Sequence, residues 1–156
     1  MVQGPDHSLT NQARISMQYL CDGPGKTTWF RIETEMEAER ESRLMGHAVA
    51  KHFGMAREAA VRTFKSSSSV TFEQLIGLEA HVQRTMPLFL TLRDAQGEGL
   101  ATAMLPPGGR DDPRFQTIIV GKNNADPYPD HAPAIDALGG HFGLTLDRDR
   151  CFPYRR

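Results

Sequence analysis

Between Gly121 and His131 the chain gathers Lys122, Asn123, Asn124, Asp126, Tyr128, Asp130 and His131. Lysine offers a positive charge, each amide can donate and accept hydrogen bonds, and histidine changes charge near neutral pH. That mixture suits a small polar ligand or an acidic protein partner, because ligand contacts concentrate on loops held by a scaffold. Asn, Asp and Pro also build turns for purely local reasons, so a plain surface connection is the competing reading.

Acid–base chemistry has three further suspects. Glu41 and His52 fall on the apolar stripe of the first helical segment, on the seam Glu41, Met45, Ala48, His52. A carboxylate and an imidazole on a buried face can act as acid and base, although three helical turns would separate them. Glu79 sits in the apolar stripe of a later helix, where burial would raise its pKa. In the bland alternative, Glu41 projects past the sheet, His52 caps a helix end and Glu79 pairs with an arginine. Arg40, Arg43, His47 and Lys51 lie on the opposite face of the first helix, as an anion-binding strip or as a solvated surface.

Gly23-Pro24-Gly25-Lys26-Thr27 invites a phosphate-loop reading. That loop needs a further Gly where Leu20 stands, and a helix starting at the Lys-Thr pair. Thr27-Thr28-Trp29-Phe30 instead prefers a strand, so a hairpin turn is expected, and a degenerate nucleotide loop ranks third among the functional readings. The six histidines show neither H-E-x-x-H nor E-x-x-H spacing, and Cys21 and Cys151 lie far apart in sequence. No metal, cofactor or disulfide framework is therefore expected.

These residues need elements to position them. Residues 14–21 and 27–33 read as a hairpin. Thr34 and Glu37 have capping-box spacing, and the first helix is expected to run to Phe53 with Gly54 as its C-cap. Residues 55–65 continue as a second helical piece. Thr71 and Gln74 form another capping box, and Pro87 stops that helix. Residues 88–93 and 100–105 alternate as a second hairpin, and Phe115–Val120 is apolar enough to suggest a central strand. Pro133 suits the first turn of a short helix, and 142–146 alternate as a last strand. The order β-β-α-α-β-β-β-α-β favours an α+β fold, an antiparallel sheet with helices packed on one face. Residues 1–12 read as a mobile leader, 13–150 as one domain and 151–156 as a charged tail.

The 156 residues are 39% hydrophobic and 24% charged, with 18 Lys+Arg against 19 Asp+Glu. A balanced charge removes the global argument for nucleic-acid binding. No apolar run reaches the ~20 residues of a membrane span, and the N-terminus lacks a basic start followed by an apolar run, so a cytoplasmic protein is expected. The leading functional reading is a binding or regulatory module without catalysis. An unpaired edge strand would make it a homodimer. The alternative is a small enzyme acting on an anionic molecule, with a site assembled from distant residues.

Overall fold

The computed structural model describes residues 17–64 and 72–154. The leader, the Ser66–Ser69 break and the Thr71 cap lie outside the described residues. Five strands form one antiparallel sheet in the order β1-β2-β3-β4-β5: β1 (Gln18–Asp22), β2 (Thr28–Ile32), β3 (Leu88–Arg93), β4 (Gly99–Leu105) and β5 (Ile118–Gly121). Helices α1 (Glu35–Met45), α2 (Val49–Phe64) and α3 (Phe72–Thr85) separate β2 from β3, and α4 (Tyr128–Phe142) follows β5.

The α+β class and the antiparallel sheet are as expected, but the helices cover both faces. Leu88, Leu90 and Leu92 of β3 join Trp29 and Ile119 in a core closed by Ile135 and Leu138 of α4. Phe89, one residue out of phase, packs on the other side with Ile32, Phe53 of α2 and Val82 of α3. Strand side chains alternate in direction, so a strand buried on both faces feeds two cores. The indole N–H of Trp29 ties α4 to the sheet by donating to the Ala134 carbonyl at 2.8 Å.

Residues 22–27 form the hairpin turn. The Gly23 N–H donates to the Thr27 carbonyl at 2.9 Å, and Lys26 takes φ 61° at the bend. No helix starts at Lys26, as a phosphate loop would require.

Thr34 caps α1. Its hydroxyl accepts from the Glu37 N–H at 3.1 Å, and the Glu37 carboxylate accepts from the Thr34 N–H at 3.1 Å. The helix ends well before Phe53. Gly46 takes φ 65° and its N–H donates to the Ser42 carbonyl. A Cβ on Gly46 would run into the Asn123 side chain. Ser42 Oγ then accepts the Ala50 N–H at 2.8 Å and helps to start α2, which runs straight through Gly54.

Three further differences concern the second half. The segment expected to be a central strand yields β5 at the far side of the sheet, and β3 is central. The loop expected to run on to the helix start at Pro133 ends at Pro127, so Pro133 lies inside α4 rather than in its first turn. No strand forms at 142–146, because α4 continues to Phe142 and Gly143 caps it with φ 72°. Beyond it, Cys151 is buried, and the Phe152 N–H donates to the Thr117 carbonyl at 2.8 Å along the outer edge of β5. Among the described residues, no helix is long and apolar enough to cross a membrane.

Candidate functional site

The helices α1 and α2 do not reach fully across the sheet. Over β4 and β5 they leave a cavity of about 570 Å3, within the range of small-molecule pockets. Thr102 and Met104 of β4 stand opposite Val120 and Ile118 of β5, and all four line it. Phe89 extends the apolar part of the wall, and Phe152 and Pro153 flank the β5 side. His47, Ala48 and Val49 at the α1–α2 junction line it too, with His52 in the first turn of α2 and Asn124 from the turn after β5.

The break at Gly46 brings His47 into this cavity. Read as part of one long helix, His47 belonged to the basic outer strip. Once the helix ends at Met45, its imidazole Nε2 reaches Thr102 Oγ1 at 2.8 Å. Its Nδ1 is buried and has no hydrogen-bond partner among the described residues. Burial lowers the His47 pKa, opposed by a backbone hydrogen bond and aided by nearby His52. An imidazole and a hydroxyl thus sit beside an apolar surface, with an amide and a second imidazole on the rim.

Of the residues singled out in sequence, His52 and Asn124 meet at this cavity. The others do not join them. Lys122 and Asn123 belong to the 3-10 turn that carries Asn124, where Asn123 packs against Gly46. Asp126 accepts from the Tyr128 N–H at 3.1 Å and pairs with Arg148 at 2.8 Å. His131 lies in α4, on the opposite side of the sheet. Glu79 is exposed and pairs with Arg57 of α2 at 2.5 Å. Glu41 is buried beneath α1, accepting from Thr91 and paired with Arg93. Burial raises the Glu41 pKa, while Arg93 and Thr91 oppose that shift.

In comparisons with known proteins, no family model, no curated protein and no solved structure matches the chain.

Residues that sequence reasoning missed are His47 as a cavity residue, Gln116 and the Phe152-Pro153 pair. Gly directly after the apolar Met45 was the available signal for His47, since Gly is the usual residue just past a helix end. No local pattern marks Phe152, whose placement depends on pairing with a strand more than thirty residues earlier.

Proposed function

We propose that the protein is a binding module without catalysis, whose cavity takes a small apolar molecule carrying one hydrogen-bonding group. The observation that carries this reading is the chemistry of the lining. Phe89, Met104, Ile118 and Val120 supply apolar surface, and His47 with Thr102 supplies a polar point beside them. Burying apolar ligand surface drives affinity, and a few fixed polar groups set orientation. Glu41 and Glu79, the carboxylates of the enzymatic alternative, each have an arginine partner away from the cavity, which favours binding over acid–base catalysis. Both cysteines are free thiols, which suits the reducing cytoplasm as the working compartment.

Octanamide and indole serve as probes in a titration of the full chain followed by methyl NMR. Saturable shifts at Met104, Ile118 and Val120, lost in Ile118→Trp at an unchanged melting temperature, are expected. Shifts that do not saturate, or that survive in the filled variant, would overturn the reading.

A second reading concerns self-association. The outer edge of β5 is occupied by Phe152, whereas β1 pairs with β2 alone among the described residues. An open edge presents unpaired N–H and C=O groups, and a second copy can satisfy them. We infer a weak homodimer through β1.

A further inference from the structure

On another part of the surface, the β4–β5 connection and the ends of α2 and α3 enclose a cleft of about 730 Å3. Arg84 of α3 lines it, with Arg110 and Arg114 from the connection. Asp112 is the one carboxylate among the described lining residues, and it pairs with Arg114 at 2.8 Å. Arg84 and Arg110 have no carboxylate partner among the described residues. The cleft thus holds a surplus of two positive charges in a chain whose overall charge is near zero.

Several of these groups are held in place. Arg110 follows Pro106-Pro107-Gly108-Gly109, where the prolines fix φ and both glycines take left-handed values of 67° and 68°. A Cβ on Gly109 would enter the Phe142 ring, so the loop is pinned against α4 by a position that only glycine fits. The Gly109 N–H donates to the Pro106 carbonyl at 2.9 Å, closing the turn before Arg110. Asp112 grips Arg114 through Nε at 3.0 Å and Nη2 at 2.8 Å. His81 is held by Thr63 at 2.7 Å. Phe115 and Pro107 add apolar surface to the same cleft.

We propose that this cleft binds the phosphate group of a phosphate-bearing molecule, with Arg84 and Arg110 as its principal partners. Guanidinium forks match phosphate oxygens in pairs, which makes arginine the usual choice for such recognition. A phosphate monoester carries close to two negative charges and three acceptor oxygens, which matches the surplus and leaves acceptors for both free arginines. A carboxylate would balance half of it. Phe115 and Pro107 then contact whatever carries the phosphate. The site is independent of the apolar cavity.

The test is calorimetric titration of the full chain at low ionic strength with inorganic pyrophosphate, and separately with phosphatidylcholine vesicles with and without phosphatidylinositol 4-phosphate. Saturable pyrophosphate binding identifies a soluble phosphate ligand. Binding confined to the phosphoinositide vesicles identifies a lipid headgroup. In either case Arg84→Gln and Arg110→Gln should each weaken binding about tenfold, the effect of losing one charged hydrogen-bonding partner. Raising the salt should weaken it as well. Both arginines are exposed, so both variants should keep the wild-type melting temperature. Absence of saturable binding to every probe would overturn the proposal. Binding of wild-type strength in the Arg84→Gln/Arg110→Gln double variant would overturn it equally.

Discussion

Glu41 and Arg93 form an ion pair between α1 and β3 in which neither side chain is more than 2% exposed. Thr91 donates to the same carboxylate, and Gly99 leaves room for both Arg93 and Met45. A buried pair costs desolvation, so its presence is weak evidence for added stability, but its disruption is expensive. Glu41→Ala would leave a guanidinium buried without its carboxylate and should cost about 3–5 kcal/mol. Glu41→Ala/Arg93→Met should be less destabilised than Glu41→Ala alone. Denaturant midpoints of the two variants check this; a double variant less stable than the single would refute it.

The two glycines of the α1–α2 region should respond in opposite directions to the same change. Gly46 has φ 65° and meets Asn123, so Gly46→Ala is strained on both counts and should cost more than about 1 kcal/mol. Gly54 lies inside α2 with nothing within 4 Å of a new Cβ, so Gly54→Ala should stabilise by about 0.4–1 kcal/mol. Urea unfolding of the two variants measures both signs. Were Gly54 the true helix end, its replacement would destabilise instead.

That contrast shows where the sequence was legible. Thr34 and Glu37 announced the start of α1 because a capping box is local, needing four consecutive residues and no tertiary partner. The end of α1 was not decided locally. Two glycines followed the apolar pattern at compatible positions, and the chain takes the left-handed value at Gly46, against Asn123, which is distant in sequence. The phase change at Gly46 then breaks the seam read as Glu41, Met45, Ala48 and His52. Glu41, ahead of the break, stays buried as its stripe position indicated, whereas His52 becomes exposed and His47 turns to the cavity. The apolar run of β5 was read as the mark of a central strand. Its Ile119 does face the α4 core, but Ile118 and Val120 are apolar because they line the cavity. In β3 the alternation of Leu88, Leu90 and Leu92 with Phe89, Thr91 and Arg93 read as an ordinary hairpin strand, although all six are buried. Arg93 disguised this, since its partner Glu41 lies more than fifty residues earlier. Asn124 was found through its loop composition and His52 through its helical position, neither of which could show that they share one cavity.

His47 gives the protein a pH-dependent stability whose sign follows from its burial. The folded state holds the imidazole below its ordinary range, while the unfolded chain titrates near about 6.5. Between those values the unfolded state binds more protons, so stability rises with pH through that window. The contribution is complete above about pH 6.5 and is lost as the pH falls through the folded value. His47→Gln keeps a hydrogen-bonding group near Thr102 but does not titrate. Its denaturant midpoint should therefore fall less steeply than that of the wild type on acidification from pH 7.5 to pH 5. Parallel curves would show that His47 titrates alike in both states.

Among the described residues, the outer edge of β1 has no pairing strand. β1 is five residues long, lies at the outer side of β2 and carries Tyr19, which is 56% exposed. Proteins protect such edges with charge, proline, bulges or a covering segment. Here a bulge between Tyr19 and Cys21 shortens the regular edge, and Asp22 closes it with one charge, but Gln18 and Tyr19 leave its first half uncharged. At the other side of the sheet Phe152 does the covering. If two copies associate as proposed, the asymmetry favours β1 as the meeting edge, with antiparallel pairing about a two-fold axis. Light scattering of the full chain at tens of micromolar should give a mass above that of the monomer, rising with concentration. The melting temperature should rise with it, because association stabilises the folded state by mass action. Tyr19→Lys places a charge on the edge without touching the core, and should return the protein to a monomer whose melting temperature no longer depends on concentration. A wild-type protein that is monomeric across that range, or a Tyr19→Lys variant that still associates, would remove β1 as the meeting edge.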